Sequence, residues 1–407
     1  MFERGVSLVV SFLALSLFLG CTSSSGYRQS EETTVEDLLG EVALAHVEID
    51  DQGELIRFEQ LRWVTDRIKA ESSEPLLLLV YVHGWNRNSS EKLVTGAKDL
   101  LNFRKKLTEV SKVCERKVMG VFVSWRGRSL SPFPVGIDYF HRHAAARRAG
   151  GLGGTEVLYE LGGAARAANS RNRVVMIGHS LGGAMLESAV GEAVAGQVVS
   201  RHARGLRLRR RDFPADLFIT VNSAESAIAA RQLVSVFKSR GIEEVEGGPL
   251  LVSLTSEEDT ITSYFSPLGN VIGRWVPGFN FFNTGVSGRY RVDEELDPKR
   301  GTQAAAHRTT VGHFEPLFSH RYVRLASELK VDGVRELVLA NQRPSRKGGF
   351  LVRSEGENFF YEGVPGAYND TPYWVVPVPR SILKGHSDQW NDAFTGMMTA
   401  MIALSRE

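Results

Sequence analysis

The chain has 407 residues, 43% of them hydrophobic, which is a globular composition with length for one large α/β domain or two ordinary ones. Its 49 basic and 47 acidic residues leave a net charge of +2, which removes any general electrostatic case for nucleic acid or an acidic partner. Only two cysteines occur, Cys21 and Cys114.

At the N-terminus Arg4 precedes an apolar run from Val6 to Leu19 that is too short to span a bilayer comfortably. The run ends at Phe18-Leu19-Gly20-Cys21, and residues 1–21 resemble a bacterial lipoprotein signal, in which a small residue precedes the cysteine that is lipidated. A plain secretory signal or a weak membrane anchor is the competing reading. With Cys21 acylated, Cys114 is the one remaining thiol, no intramolecular disulfide forms, and Cys114, beside Val113 and Glu115, reads as a packing or surface residue. Residues 22–40, beginning Thr22-Ser23-Ser24-Ser25-Gly26, read as a flexible tether for a domain spanning 41–407. The expected location is the bacterial cell envelope, at a membrane surface outside the cytoplasm.

Within the domain, residues 45–50 and 54–58 read as a hairpin-like pair of strands around Asp51-Gln52-Gly53, followed by a short helix over 60–70. Pro75 to Val82 is a continuous apolar run, as a strand buried on both faces requires, and it ends at His83-Gly84-Trp85-Asn86. Helical spacing over 89–110 leads to a strand over 117–125, and 139–169 is helical with a glycine-rich interruption at 150–154. The pattern then gives a strand into Gly178, a helix, the basic cluster Arg201–Arg211, a strand over 216–223, a helix over 225–239 and a strand over 249–254. This alternation predicts a mostly parallel central sheet with helices on both faces. The basic cluster is either a surface for anionic headgroups or a solvated loop. No room is left between the strands at 216 and 249 for a large cap.

The alternation is lost from about 261 to 368, a stretch carrying Trp275, Phe279, Phe281 and Phe282, which reads as an insertion before the last strand. Its aromatics either line a pocket or fasten it to the core. Its His307, His313 and His320 have no recognised metal-ligand spacing. Tyr373 to Val378 is a last strand whose prolines suit an edge, and an amphipathic helix over 388–404 closes the chain.

Gly178-His179-Ser180-Leu181-Gly182-Gly183 joins an apolar strand to a helix and carries the Gly-x-Ser-x-Gly pattern of a nucleophile elbow. A serine hydroxyl needs a base within hydrogen-bond reach, itself oriented by a carboxylate. His386, in Gly385-His386-Ser387-Asp388 after the last strand, is the candidate base. Thr255-Ser256-Glu257-Glu258-Asp259-Thr260 offers three carboxylates for the acid, of which Asp259 leaves most chain to turn over the sheet edge; Glu258 and Glu257 are the alternatives. The oxyanion donors are expected from the backbone N–H of Leu181 and of Trp85, Gly84 permitting the close approach. The Trp85 side chain is either pocket wall or core.

With these motifs, Phe122-Val123-Ser124-Trp125 and Val221-Asn222-Ser223-Ala224, the chain resembles the α/β-hydrolase superfamily, bacterial serine esterases and lipases in particular, over almost all of 41–407. The resemblance implies hydrolysis of an acyl ester through an acyl-enzyme on Ser180, with His386 as base then acid and Asp259 orienting it. It implies no cofactor and no metal. A thioesterase or peptidase using the same triad, or a catalytically silent binding protein of this fold, are the alternatives; the long segment between acid and histidine departs from many members and bears on the substrate.

Overall fold

Leu76 to Leu79 are strong helix formers by intrinsic preference, worth at most about 0.7 kcal/mol each, whereas fully burying each side chain is worth roughly 1.5–3 kcal/mol. Burial therefore decides, and Leu76–Val82 forms a strand with every residue buried. A computed structural model describes residues 26–38, 42–89, 97–128, 135–246, 248–263, 298–324, 349–354 and 357–404. The elements are β1 (Val35–Leu38), β2 (Val42–Glu48), α1 (Phe58–Glu71), β3 (Leu76–Val82), α2 (Lys98–Val113), β4 (Lys117–Ser124), α3 (Val135–Ala149), α4 (Leu152–Ala168) and β5 (Arg173–His179). They continue with α5 (Leu181–Ala203), β6 (Leu217–Val221), α6 (Ala227–Lys238), β7 (Leu251–Ser256), the short α7 (Gln303–Arg308), β8 (His320–Arg324), β9 (Phe350–Ser354), β10 (Glu357–Gly363), β11 (Tyr373–Val378) and α8 (Asp392–Leu404).

The fold is α/β, built on an eight-stranded sheet in the order β1-β2-β4-β3-β5-β6-β7-β11. Every neighbouring pair from β2 to β11 is parallel, and β1 adds an antiparallel edge. Alternate residues of each strand feed two cores. Leu76, Leu78, Val80 and Val82 pack with α1, α3, α4, α5 and α6 on one face, while Leu77, Leu79 and Tyr81 pack with α2 and α8 on the other. Strand order reverses between β3 and β5, so loops leaving their C-terminal ends diverge and open a crevice there, the usual ligand position in such sheets.

Three expectations need correction, the first being the tether over 22–40, of which residues 35–38 form the edge strand β1 of the sheet. The hairpin around Asp51 is reduced to a single antiparallel bridge, Ile49 to Leu55, flanked by bonds from the Asp50 N–H to the Glu54 carbonyl (2.8 Å) and from the Ile56 N–H to the Glu48 carbonyl (2.9 Å), before Phe58 opens α1. Strand β1 covers β2 only from Val42 to Ala45, so the end of that edge is open to this returning arm, which is cut short because α1 begins at Phe58. The glycine-rich interruption expected at 150–154 is present as a break at Gly150 and Gly151 between two helices, where a Cβ on Gly150 would collide with the Met185 carbonyl. The described parts of 261–368 include a three-stranded antiparallel sheet, β8-β10-β9, whose Phe350, Val352, Phe359 and Tyr361 complete the second core. Ser319 seats this segment on β11, its N–H donating to the Val375 carbonyl (3.0 Å) and its Oγ accepting from the Val375 N–H (2.9 Å). Trp275, Phe279, Phe281, Phe282 and Cys21 lie outside the described residues. Among the described residues strand β11 is an edge, pairing with β7 alone, and Pro377 costs it no ladder bond to a second neighbour there. Cys114 is free and half-buried against the second core.

Candidate active site

The glycines of the 178–183 turn are required by space. A Cβ on Gly178 would lie 2.5 Å from the Gly182 carbonyl oxygen, and one on Gly182 would lie 2.5 Å from the His83 carbonyl oxygen. Strand β5, helix α5 and the loop after β3 therefore converge on Ser180, which adopts φ 56° and ψ −120°. Such a backbone costs a non-glycine residue of order 1–3 kcal/mol and persists only where its surroundings hold it. They do: the Ser180 N–H donates to the Val221 carbonyl (2.9 Å), and its own carbonyl accepts from Gly183 (2.9 Å) and Ala224 (3.2 Å).

Ser180, His386 and Asp259 come from the C-terminal ends of β5, β11 and β7, and the fold brings all three together. Ser180 Oγ is 2.8 Å from His386 Nε2, and His386 Nδ1 is 3.0 Å from both carboxylate oxygens of Asp259. Asp259 is 1% exposed, and it also accepts from the N–H groups of Ile261 (3.1 Å) and Thr262 (3.2 Å) and from Thr262 Oγ1 (2.6 Å). Burial pushes its pKa up, but the bond and charge of His386 together with the Thr262 bonds outweigh this, leaving it below the usual value. Of the other two carboxylates, Glu258 faces outward to Arg380 (3.0 Å), and Glu257, its pKa raised by burial, makes neither contact.

The loop carrying His386 is clamped by residues that the motifs do not assign. Asn222, buried and at φ 48°, donates from Nδ2 to the carbonyls of Gly385 (3.1 Å) and His386 (2.9 Å) and accepts at Oδ1 from the Ser256 N–H (2.8 Å). Ser256 Oγ donates to the Leu383 carbonyl (2.7 Å) and accepts from the Gly385 N–H (3.1 Å). His179 Nε2 donates to the His386 carbonyl as well (2.8 Å). Burial lowers the His179 pKa to about 4, with the nearby His386 contributing, so this donor is a neutral imidazole across the neutral range.

The two expected oxyanion donors flank Ser180. Leu181 N–H opens α5, where backbone donors and the positive end of the helix dipole favour negative charge. Trp85 lies in the loop after β3, where a Cβ on Gly84 would stand 3.0 Å from Ser180 Cβ. Neither N–H donates to another protein group among the described residues. The loop is held by His83, whose Nδ1 donates to the Gly84 carbonyl (2.9 Å) and whose Nε2 accepts from the Trp125 N–H (3.2 Å). Trp125 Nε1 donates back to the His83 carbonyl (2.9 Å), and the two rings stack. Burial lowers the His83 pKa to about 4, which keeps Nε2 free to accept. The Trp85 side chain is half-buried, donating to Asp138 (2.7 Å) and meeting Tyr139 edge-on.

Two further groups adjoin the site. His313, from the segment before β8, bonds Thr310 Oγ1 through Nδ1 (2.9 Å) and lies near Asp259; burial lowers its pKa, Asp259 opposing and His386 adding to that shift. Sequence spacing alone could not place it there, because nothing local ties residue 313 to 259. Beneath the elbow, Glu187 on α5 has Oε1 closed off from solvent. Burial raises its pKa to about 8, the charge of Glu225 adding to this and the neighbouring hydroxyls of Ser223, Thr220 and Tyr373 opposing it. Among the described residues no group of three His, Cys, Asp or Glu side chains is placed to hold a metal ion. Comparison with known protein families and with characterised proteins gives no match for the chain.

Proposed function

We propose that the chain is a serine hydrolase of the α/β-hydrolase fold, cleaving carboxylic esters through an acyl-enzyme and tethered to a membrane through Cys21. The observation that carries this reading is the chain of contacts from Ser180 Oγ through the His386 ring to a buried Asp259, at 2.8 and 3.0 Å. Ser180 Oγ attacks the substrate carbonyl while His386 Nε2 takes its proton. Asp259 holds the Nδ1–H tautomer and stabilises the imidazolium that results. The tetrahedral oxyanion is received by the N–H groups of Leu181 and Trp85, each such donor being worth about 3–4 kcal/mol in the transition state. His386 then protonates the departing alkoxide, leaving the acyl group on Ser180. Water enters, gives its proton to His386 and attacks the acyl carbonyl; the acid departs as Ser180 recovers its proton. No step calls for a cofactor.

The test is labelling of the chain by a fluorophosphonate, with mass analysis of the adduct. Ser180 is expected to carry it, and Ser180→Ala and His386→Ala to abolish it. Absence of a Ser180-dependent adduct in the parent chain would overturn the reading in favour of a silent binding protein. Hydrolysis rates on matched esters, thioesters and peptides then test the ester assignment, which a preference for either of the other two would displace. An unmodified Cys21 in the mature protein would remove the lipid tether.

A further inference from the structure

The described chain begins at the same edge of the sheet as Ser180. Gly26 sits against Ile56 and the carboxylate of Glu48, the last residue of β2, and the next two N–H groups donate to that carboxylate, Tyr27 to Oε1 and Arg28 to Oε2, both at 3.0 Å. Gln60 of α1 locks the turn by donating to the Arg28 carbonyl (2.8 Å) and to Glu48 Oε2 (3.0 Å). Strand β2 stands three positions from β5, which places this entry point about 14 Å along the sheet from the elbow strand.

Exposed apolar side chains surround the entry. Helices α1 and α4 pack together, and both run from the C-terminal edge of the sheet towards the start of the next strand, so their first residues lie side by side on this rim. Those residues are Phe58, 69% exposed, and Leu152, 92% exposed; Tyr27, beside Gln60, is 49% exposed. Gly53 and Gly153 are in backbone contact between them, a Cβ on Gly153 colliding with the Gly53 carbonyl. Charges around the rim are mixed, Arg57, Arg62 and Arg148 against Glu54, Glu59 and Glu156. Gly26 lies five positions after Cys21, a reach of at most about 18 Å.

We infer that the rim formed by Tyr27, Phe58 and Leu152 docks on a lipid bilayer, turning the Ser180 edge of the sheet towards the membrane surface. A lipid on Cys21, within that reach of Gly26, would enter a bilayer beside this rim, and the rim side chains suit the headgroup–acyl boundary. The basic cluster faces the other way. It follows the C-terminus of α5, about 34 Å along the helix from Ser180, where Arg201 pairs with Asp212 (3.0 Å) and the buried Arg210 bonds the carbonyls of Asp216, Val245 and Pro249. Resting on the hydrolase reading, the orientation assigns the substrate to esters dissolved in the bilayer.

The experiment places the full chain in phosphatidylcholine vesicles doped with a phospholipid carrying a photoactivatable group, followed by digestion and mass mapping of the adducts. Adducts are expected on peptides carrying Phe58 and Leu152, undiminished by high salt and without anionic lipid. Adducts concentrated on residues 201–211, or appearing only with phosphatidylglycerol, would overturn the inference. The Phe58→Ser/Leu152→Ser double variant, changed only at exposed positions, is expected to lose rim labelling several-fold. It should lose hydrolysis of a bilayer-dissolved ester to the same degree while keeping the parental rate on a soluble short-chain ester; an equal loss on both would overturn the substrate assignment. If Ser180 fails to react with fluorophosphonate, the hydrolase reading falls while the lipid adducts still decide the docking.

Discussion

Asn222→Gly isolates the clamp on the histidine loop. Asn222 sits at φ 48°, a backbone that glycine accepts freely, so the substitution removes the side chain without the strain that alanine would add. Three bonds go: Nδ2 to the Gly385 carbonyl, Nδ2 to the His386 carbonyl, and the Ser256 N–H to Oδ1. The His386 carbonyl keeps the His179 imidazole, and the half-buried Gly385 carbonyl can turn to water. The fully buried Ser256 N–H has no substitute, and an orphaned buried donor costs about 1–3 kcal/mol. Adding roughly 1 kcal/mol for the remaining bonds gives a stability loss of about 2–4 kcal/mol. With one of three clamps gone, the imidazole is no longer held on Ser180, and a displacement near 1 Å is expected to slow reaction by about 10²-fold. Denaturant unfolding measures the first quantity, and the rate of fluorophosphonate capture, taken well below the midpoint, measures the second. A variant destabilised as calculated that reacts at the parental rate would refute the positioning role, and one of parental stability would refute the hydrogen-bond reasoning itself.

Asp259→Asn is expected to slow ester hydrolysis by about 10⁴-fold, the scale reached when a triad carboxylate is neutralised and the imidazole tautomer is lost. Glu258→Gln, which breaks only an exposed pair with Arg380, should leave the rate unchanged; the opposite ranking would reassign the acid. Glu187, whose Oε1 is closed off from solvent, gives a pH signature. Its pKa is about 8 in the folded chain and near the ordinary carboxylate value when unfolded, so the unfolded chain loses its proton first. This term therefore lowers stability as pH rises from about 4.5 to about 8. Melting temperatures of Glu187→Gln should fall less steeply than the parent's across that window, and parallel profiles would show that the carboxyl is already ionised.

What could be read from the sequence was what short-range sterics and burial dictate. The four-leucine strand after Pro75, the glycine-walled turn at Ser180 and the strand–helix alternation each follow from neighbouring residues, so local pattern sufficed for the α/β sheet and for the elbow. The hairpin expected at Asp51 shrank to one bridge because the arm returning along the open end of β2 turns into α1 at Phe58. Three adjacent carboxylates at 257–259 were chemically equivalent on paper. The turn after β7 separates them, aiming Asp259 inward at His386 and Glu258 outward at Arg380. The same holds for Asn222, His179 and His313, whose tasks rest on contacts with residues 385–386 and 259 that no local periodicity encodes. Backbone preference and amphipathic pattern act over a few residues, so the sequence by itself determined the elements and the elbow. The contacts Ser180–His386 and His386–Asp259 close over 206 and 127 residues, and only packing of the sheet brings such distant groups to one edge.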